Sequence, residues 1–145
     1  MTSEQKITIF KNIKETDTPF HRPVKHILKR IKDGSTKELV KQIRAEKRKA
    51  ERNELKKNLP AICFSGIFNK RNDTSIQEHT GIICLDFDGY EKNKDLLQDK
   101  ENLTKNNFVY SVFISPSGLG LKVLVKIPKD AENHINYFNA LSKHF

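Results

Sequence analysis

The chain has 145 residues, enough to bury an ordinary core within one domain. Its 27 Lys and Arg against 18 Asp and Glu give a formal net charge of +9 and a pI near 9.6, a balance that favours polyanionic partners: nucleic acid, nucleotides or an anionic membrane. Cys63 and Cys84 lie in the apolar runs Ala61-Ile62-Cys63-Phe64 and Ile82-Ile83-Cys84-Leu85, away from any Cys or His at zinc-ligand spacing, which excludes a zinc module or disulfide scaffold and predicts reduced thiols.

Residues 1–12 lack the apolar stretch of a signal peptide, and no run is long enough to span a bilayer, so a soluble, cytoplasmic protein with no membrane partner is expected. Ile7-Thr8-Ile9-Phe10 reads as a short strand. After the break between Pro19 and Pro23, Val24, Ile27, Leu28 and Ile31 fall at helical spacing, and Gly34 closes that helix. Ser35 or Thr36 can cap a second helix over about 37–59, ended by Pro60, although a segment so rich in charge can also break in two. Residues 37–57 hold nine Lys or Arg and four Glu. Two readings stand for that surplus: a solvated face stitched by pairs such as Glu51 with Lys47 and Glu54 with Lys57, or a contact with a phosphate backbone.

From Ala61 the pattern changes to strands and short helices. Residues 61–67 read as a strand and 69–77 as polar loop. Residues 81–88 read as an apolar strand ending in Asp86-Phe87-Asp88, and Leu96, Leu97 and Leu103 support a helix over 91–103. Strands over 108–114 and 121–127 flank the glycine turn Ser115-Pro116-Ser117-Gly118-Leu119-Gly120, and an amphipathic helix begins near Asp130. The fold class predicted is α+β: a small, mainly antiparallel sheet with helices on one face over 61–145, preceded by a helical, basic extension over 1–60, all in a single domain.

Alternation assigns the faces. Leu121, Val123, Val125 and Ile127 form one apolar row, joined by Phe108, Tyr110, Val112 and Ile114, while Lys122, Leu124 and Lys126 look the other way with Ser111, Phe113 and Ser115. If these strands share one sheet, Asp86, Asp88, Ser115, Lys122 and Lys126 lie on a common face. Two carboxylates so close need a compensating cation, and their oxygens suit Mg²⁺ or Mn²⁺ carrying substrate phosphates. Gly118 and Gly120 let backbone N–H groups approach phosphate, Ser115 and Ser117 offer hydroxyls, and Lys122 adds a cation. Taken singly, an Asp-x-Asp pair can merely end a strand and a Gly-x-Gly pair can merely turn a hairpin.

Leu85-Asp86-Phe87-Asp88 followed by Ser117-Gly118-Leu119-Gly120-Leu121-Lys122-Val123 resembles the first two motifs of the archaeo-eukaryotic primase superfamily, the primase-polymerases. With Asn53-Glu54-Leu55-Lys56-Lys57-Asn58-Leu59-Pro60, Phe64-Ser65-Gly66-Ile67-Phe68 and His79-Thr80-Gly81, the set over residues 36–128 more closely resembles the VirE-type N-terminal domain of mobile-element and phage primase-helicase-like proteins. The resemblance implies an RNA-recognition-like core, with Asp86 and Asp88 as catalytic metal ligands and Ser117, Gly118, Gly120 and Lys122 on a nucleoside triphosphate. It also implies His79 near the site, DNA as the polymer and a helicase or further domain downstream. Lys122 stands where the superfamily has histidine. The third acidic motif that the resemblance implies is not reached by Phe145, so the chain alone is expected to bind without extending a primer.

Two competing readings remain open from the residues. Leu85-Asp86-Phe87-Asp88-Gly89 also looks like the nucleophile motif of a haloacid dehalogenase-like phosphatase, although Tyr90 replaces its Thr and little chain follows. A non-catalytic nucleic-acid-binding or docking module, worked by the basic helix, is the other.

Overall fold

A computed structural model describes residues 5–72 and 74–145. The fold is α+β, with five helices and three antiparallel sheets among these residues, where the sequence reading expected one sheet. The chain divides into two compact units, 1–80 and 81–145.

In the first unit β1 (Lys6–Phe10) pairs with β2 (Phe20–Pro23) on one side and β3 (Ala61–Cys63) on the other, while β4 (Gly66–Phe68) and β5 (Ile76–His79) form a separate hairpin. The 61–67 strand therefore breaks in two at Phe64-Ser65, where the Thr80 N–H donates to the Ser65 carbonyl and the Thr80 hydroxyl to the Phe64 carbonyl. Helix α1 (Val24–Asp33) ends at Gly34, whose φ of 76° is the left-handed turn that a glycine adopts without strain. Its Val24 and Ile27 are buried, as are Ile7, Phe10, Ile43 and Phe64.

The basic segment forms two helices, α2 (Lys37–Ala45) and α3 (Lys49–Lys56). Between them Glu46 and Arg48 are extended, and the Glu46 carboxylate accepts from the Arg48 backbone N–H at 3.0 Å and from its guanidinium at 3.1 Å. This local bond competes with helical hydrogen bonding and holds the break. The Glu54–Lys57 pair forms, at 2.7 Å.

The second unit runs β6 (Ile82–Phe87), α4 (Asn93–Thr104), β7 (Val109–Ile114), β8 (Leu121–Lys126) and α5 (His134–His144), the order strand, helix, strand, strand, helix expected from sequence. The sheet order is β6-β8-β7 with both neighbours antiparallel to β8. Strands β6 and β7 are thus mutually parallel, joined through α4, and β8 fills the slot between them. Ile83, Leu85, Val112, Leu121, Val123 and Val125 cluster with Leu96 of α4, and Tyr137, Phe138 and Leu141 of α5 pack on them. Each such fully buried aliphatic side chain contributes about 1.5–3 kcal/mol relative to exposure.

The face assignment fails at the start of β7, where neither Phe108 nor Tyr110 is among the residues of the core cluster. The register shifts between Val109 and Ser111, so Val109 packs on the core while Phe108, expected inside, is 65 % exposed. The extra residue of a bulge reverses the alternation on its N-terminal side. Helix α5 starts at His134 rather than near Asp130, because the Asp130 carboxylate accepts from the backbone N–H groups of Glu132 and Asn133 and makes a turn of its own. No helix among the described residues is long and apolar enough to cross a membrane.

Candidate functional site

The carboxylate strand and the glycine hairpin meet at one end of the second unit's sheet. The register sets Asp86 opposite Lys122 and Phe87 opposite Leu121, which carries Asp88, just past the strand end, alongside Gly120. A Cβ on Gly120 would lie 2.7 Å from the Asp88 Oδ1 and 2.7 Å from the Phe87 carbonyl oxygen. Glycine is required there for the hairpin backbone to pass beneath the carboxylate. The loop after Asp88 is clipped on as well, since the Tyr90 N–H donates to the Leu119 carbonyl at 3.1 Å.

The hairpin is built by its residue types. Pro116 sits second in a turn closed by Gly118 N–H donating to the Ser115 carbonyl at 2.9 Å, and Gly118 takes φ 78°. Ser115 N–H donates to the Gly120 carbonyl at 2.9 Å, and the Ser115 and Ser117 hydroxyls lie 3.1 Å apart. The Ser117 hydroxyl also accepts the Leu119 N–H at 3.3 Å. The N–H of Gly118 itself is engaged in closing this turn. Ser115 is buried, leaving the Ser117 hydroxyl as the more accessible of the two.

Lys122 donates to the Asp86 Oδ1 at 2.7 Å, with side chains 32 % and 54 % exposed. The compensating cation that the paired carboxylates call for is thus supplied to Asp86 from within the sheet. Asp88 is exposed and has no hydrogen-bond or ion-pair partner among the described residues. Phe113 sits opposite Lys122 on the other side, so Asp86, Lys122 and Phe113 form one row across three strands. In the next row Cys84 pairs with Leu124, and burial pushes its thiol up to about 11, with Lys122 pulling down and Asp86 pushing up against that. Burial raises Cys63 too, and both cysteines are unbonded thiols.

Lys126 is set apart from Lys122 within the second unit's sheet. Lys126 shares the face but pairs with Ile82, four residues along β8 from Lys122, or ~13 Å away. His79 belongs to the first unit, buried in β5 opposite Gly66. Conversely, Tyr90 is a residue whose role the sequence reading missed. Its hydroxyl donates to the Asp99 Oδ2 at 2.7 Å and its pKa is pushed up to about 12, by burial first and by Asp99 second. Together with the clip to Leu119 this ties the carboxylate loop to α4. The only sequence signal was an aromatic residue two positions beyond Asp88.

The donors gathered here are carboxylate and hydroxyl oxygens, the set that hard divalent cations take. No group of three or more His, Cys, Asp or Glu among the described residues is placed to hold a metal ion. Two aspartates would leave most of a cation's positions to water or phosphate oxygens.

No curated protein and no solved structure matches the chain. The comparison with protein families corrects the resemblance drawn from the motifs: the family found is not the VirE-type domain, and nothing found links the chain to the primase-polymerases. Residues 54–144, which include both aspartates and the whole hairpin, match the family described as BT4734-like, N-terminal domain, and the chain belongs to that family.

Proposed function

We infer that the chain is a nucleotide- and DNA-binding domain whose second unit holds a nucleoside triphosphate with Mg²⁺ or Mn²⁺, for metal-dependent nucleotidyl transfer of the kind a replication primase performs in a complete protein. The observation that carries this reading is the approach of Gly120 to Asp88, a backbone cradle that a single Cβ would fill, beside an exposed carboxylate with no partner among the described residues. Asp86 and Asp88 hold the cation, which when bound neutralises triphosphate charge and polarises the reacting phosphorus. Lys122 turns from Asp86 to the phosphates, and the Ser117 hydroxyl and hairpin backbone orient them.

A second reading has its own support: the Asp86–Lys122 ion pair is what a purely structural cross-strand contact makes. One titration separates the two. Mn²⁺ added to the wild type and to the Asp86→Asn, Asp88→Asn double variant binds the wild type more tightly if the carboxylates are ligands. Equal, weak affinity in both ends the metal reading and leaves the structural one.

A further inference from the structure

The chain's charge is divided unevenly between its units. Residues 81–145 carry eight Lys and eight Asp or Glu, whereas residues 1–80 carry 19 Lys or Arg and ten Asp or Glu. Within the latter, residues 24–57 hold 13 cations against five acids. The unit with the carboxylates is formally neutral, and nearly all the excess positive charge lies on α1, α2, α3 and their joints.

The cations are also ordered. Lys25, Lys29 and Lys32 on α1, and Lys37, Lys41 and Arg44 on α2, repeat the spacing i, i+4, i+7 that lines one helix face. All six are exposed, while Val24 and Ile27 of α1 and Ile43 of α2 are buried. Of these lysines only Lys29 has a carboxylate partner among the described residues, Asp33 at 2.5 Å. The apolar sides of both helices are therefore spent in the interior, and α3 has no buried residue and no exposed large apolar one. A helix that lies on a membrane needs a free apolar face beside its basic one. These helices offer only charge, the footprint of a phosphodiester backbone.

We propose that the lysine stripes of α1 and α2 form a nucleic-acid backbone site, separate from the carboxylate site and independent of metal. The proposal rests on the functional reading above only in taking nucleic acid as the polymer. The site grips without reading sequence, because lysine ammonium groups on phosphate carry no base information.

The test is the salt dependence of binding to a fluorescent DNA duplex in EDTA, using the full chain. Each phosphate contact adds ~0.9 to the slope of log K against log salt on duplex DNA. The Lys25→Gln, Lys32→Gln, Lys37→Gln, Lys41→Gln variant should lose about 3–4 from that slope, and the wild-type advantage at 50 mM over 200 mM salt should shrink by about 150-fold. A control with Lys92, Lys94, Lys100 and Lys143 changed to Gln removes the same charge from the second unit and should keep the wild-type slope. Equal loss in both variants, or loss in neither, overturns the proposal. So does a stripe variant that binds DNA as the wild type does but no longer binds phosphatidylserine vesicles, which would make the surface a membrane contact. Circular dichroism and thermal melting establish that both variants are folded. EDTA removes divalent cations from this assay, so failure here and failure of the Mn²⁺ titration are read separately.

Discussion

Lys122→Met should act in opposite directions on the two ligands of the second unit. The Lys122 ammonium sits 2.7 Å from an Asp86 oxygen, with side chains 32 % and 54 % exposed, so the pair belongs with solvent-accessible ion pairs worth ~0.2–1 kcal/mol. A divalent cation that takes Asp86 must break this pair, and its double charge meets about 2 kcal/mol of repulsion if the ammonium stays within ~4 Å, even in water. Removing the ammonium while keeping the stem should therefore tighten Mn²⁺ binding by ~1–2 kcal/mol, or about 5–30-fold. At saturating Mn²⁺ the same variant should bind a non-hydrolysable nucleoside triphosphate more weakly, by ~1–3 kcal/mol for the lost charge-assisted contact. Electron paramagnetic resonance of free Mn²⁺ reads the first quantity and calorimetry the second. Unchanged Mn²⁺ affinity, or a change of the same sign for both ligands, refutes the reasoning.

Gly120→Ala should cost ~1–3 kcal/mol in urea unfolding and weaken Mn²⁺ binding, because its Cβ meets Asp88 Oδ1 and the Phe87 carbonyl at 2.7 Å. Gly118→Ala should cost ~1–2 kcal/mol through its φ of 78° and leave Mn²⁺ affinity alone; equal effects on the metal would refute the cradle. Tyr90 is raised from 10.0 to about 12, so folding favours its protonated hydroxyl, a contribution complete below pH 10 and lost as pH rises towards 12. Over that interval the wild type should lose stability faster than Tyr90→Phe, and ultraviolet titration should show a phenol near 12 that the variant lacks; its absence from the wild type would refute the Asp99 clamp. The purified chain should bind Mn²⁺ and nucleotide without extending a primer, since no third carboxylate joins the pair among the described residues. Template-dependent extension abolished by Asp86→Asn would overturn that.

The second unit was largely legible because its strands alternate cleanly and its turn residues are chemically specific. Leu121, Val123 and Val125 point inward as counted, and the glycine hairpin lies where Pro116 and Gly118 put it. The bulge at the start of β7 was not legible, because nothing local in Phe108-Val109-Tyr110 marks the extra residue. Strands β2 and β5, Phe-His-Arg-Pro and Ile-Gln-Glu-His, carry no apolar alternation and exist only through pairing with β1 and β4. The helix break at Glu46 depends on one carboxylate choosing Arg48. At the site, composition and alternation gave Asp86 and Lys122 a common face, but only the register reveals that they neutralise each other.

The central place of β8 also governs the order in which the second unit can assemble. Among the described residues, β6 and β7 have β8 as their sole neighbour within their sheet, and β8 follows both of them in the chain. The β7–β8 hairpin closes over a short loop, whereas β6 must reach across α4 and all of β7 to find its register, at a far larger loop-closure cost. The aspartate strand accordingly docks late, onto a hairpin already made. Substitutions in the glycine turn should then slow folding, and those in β6 should chiefly hasten unfolding.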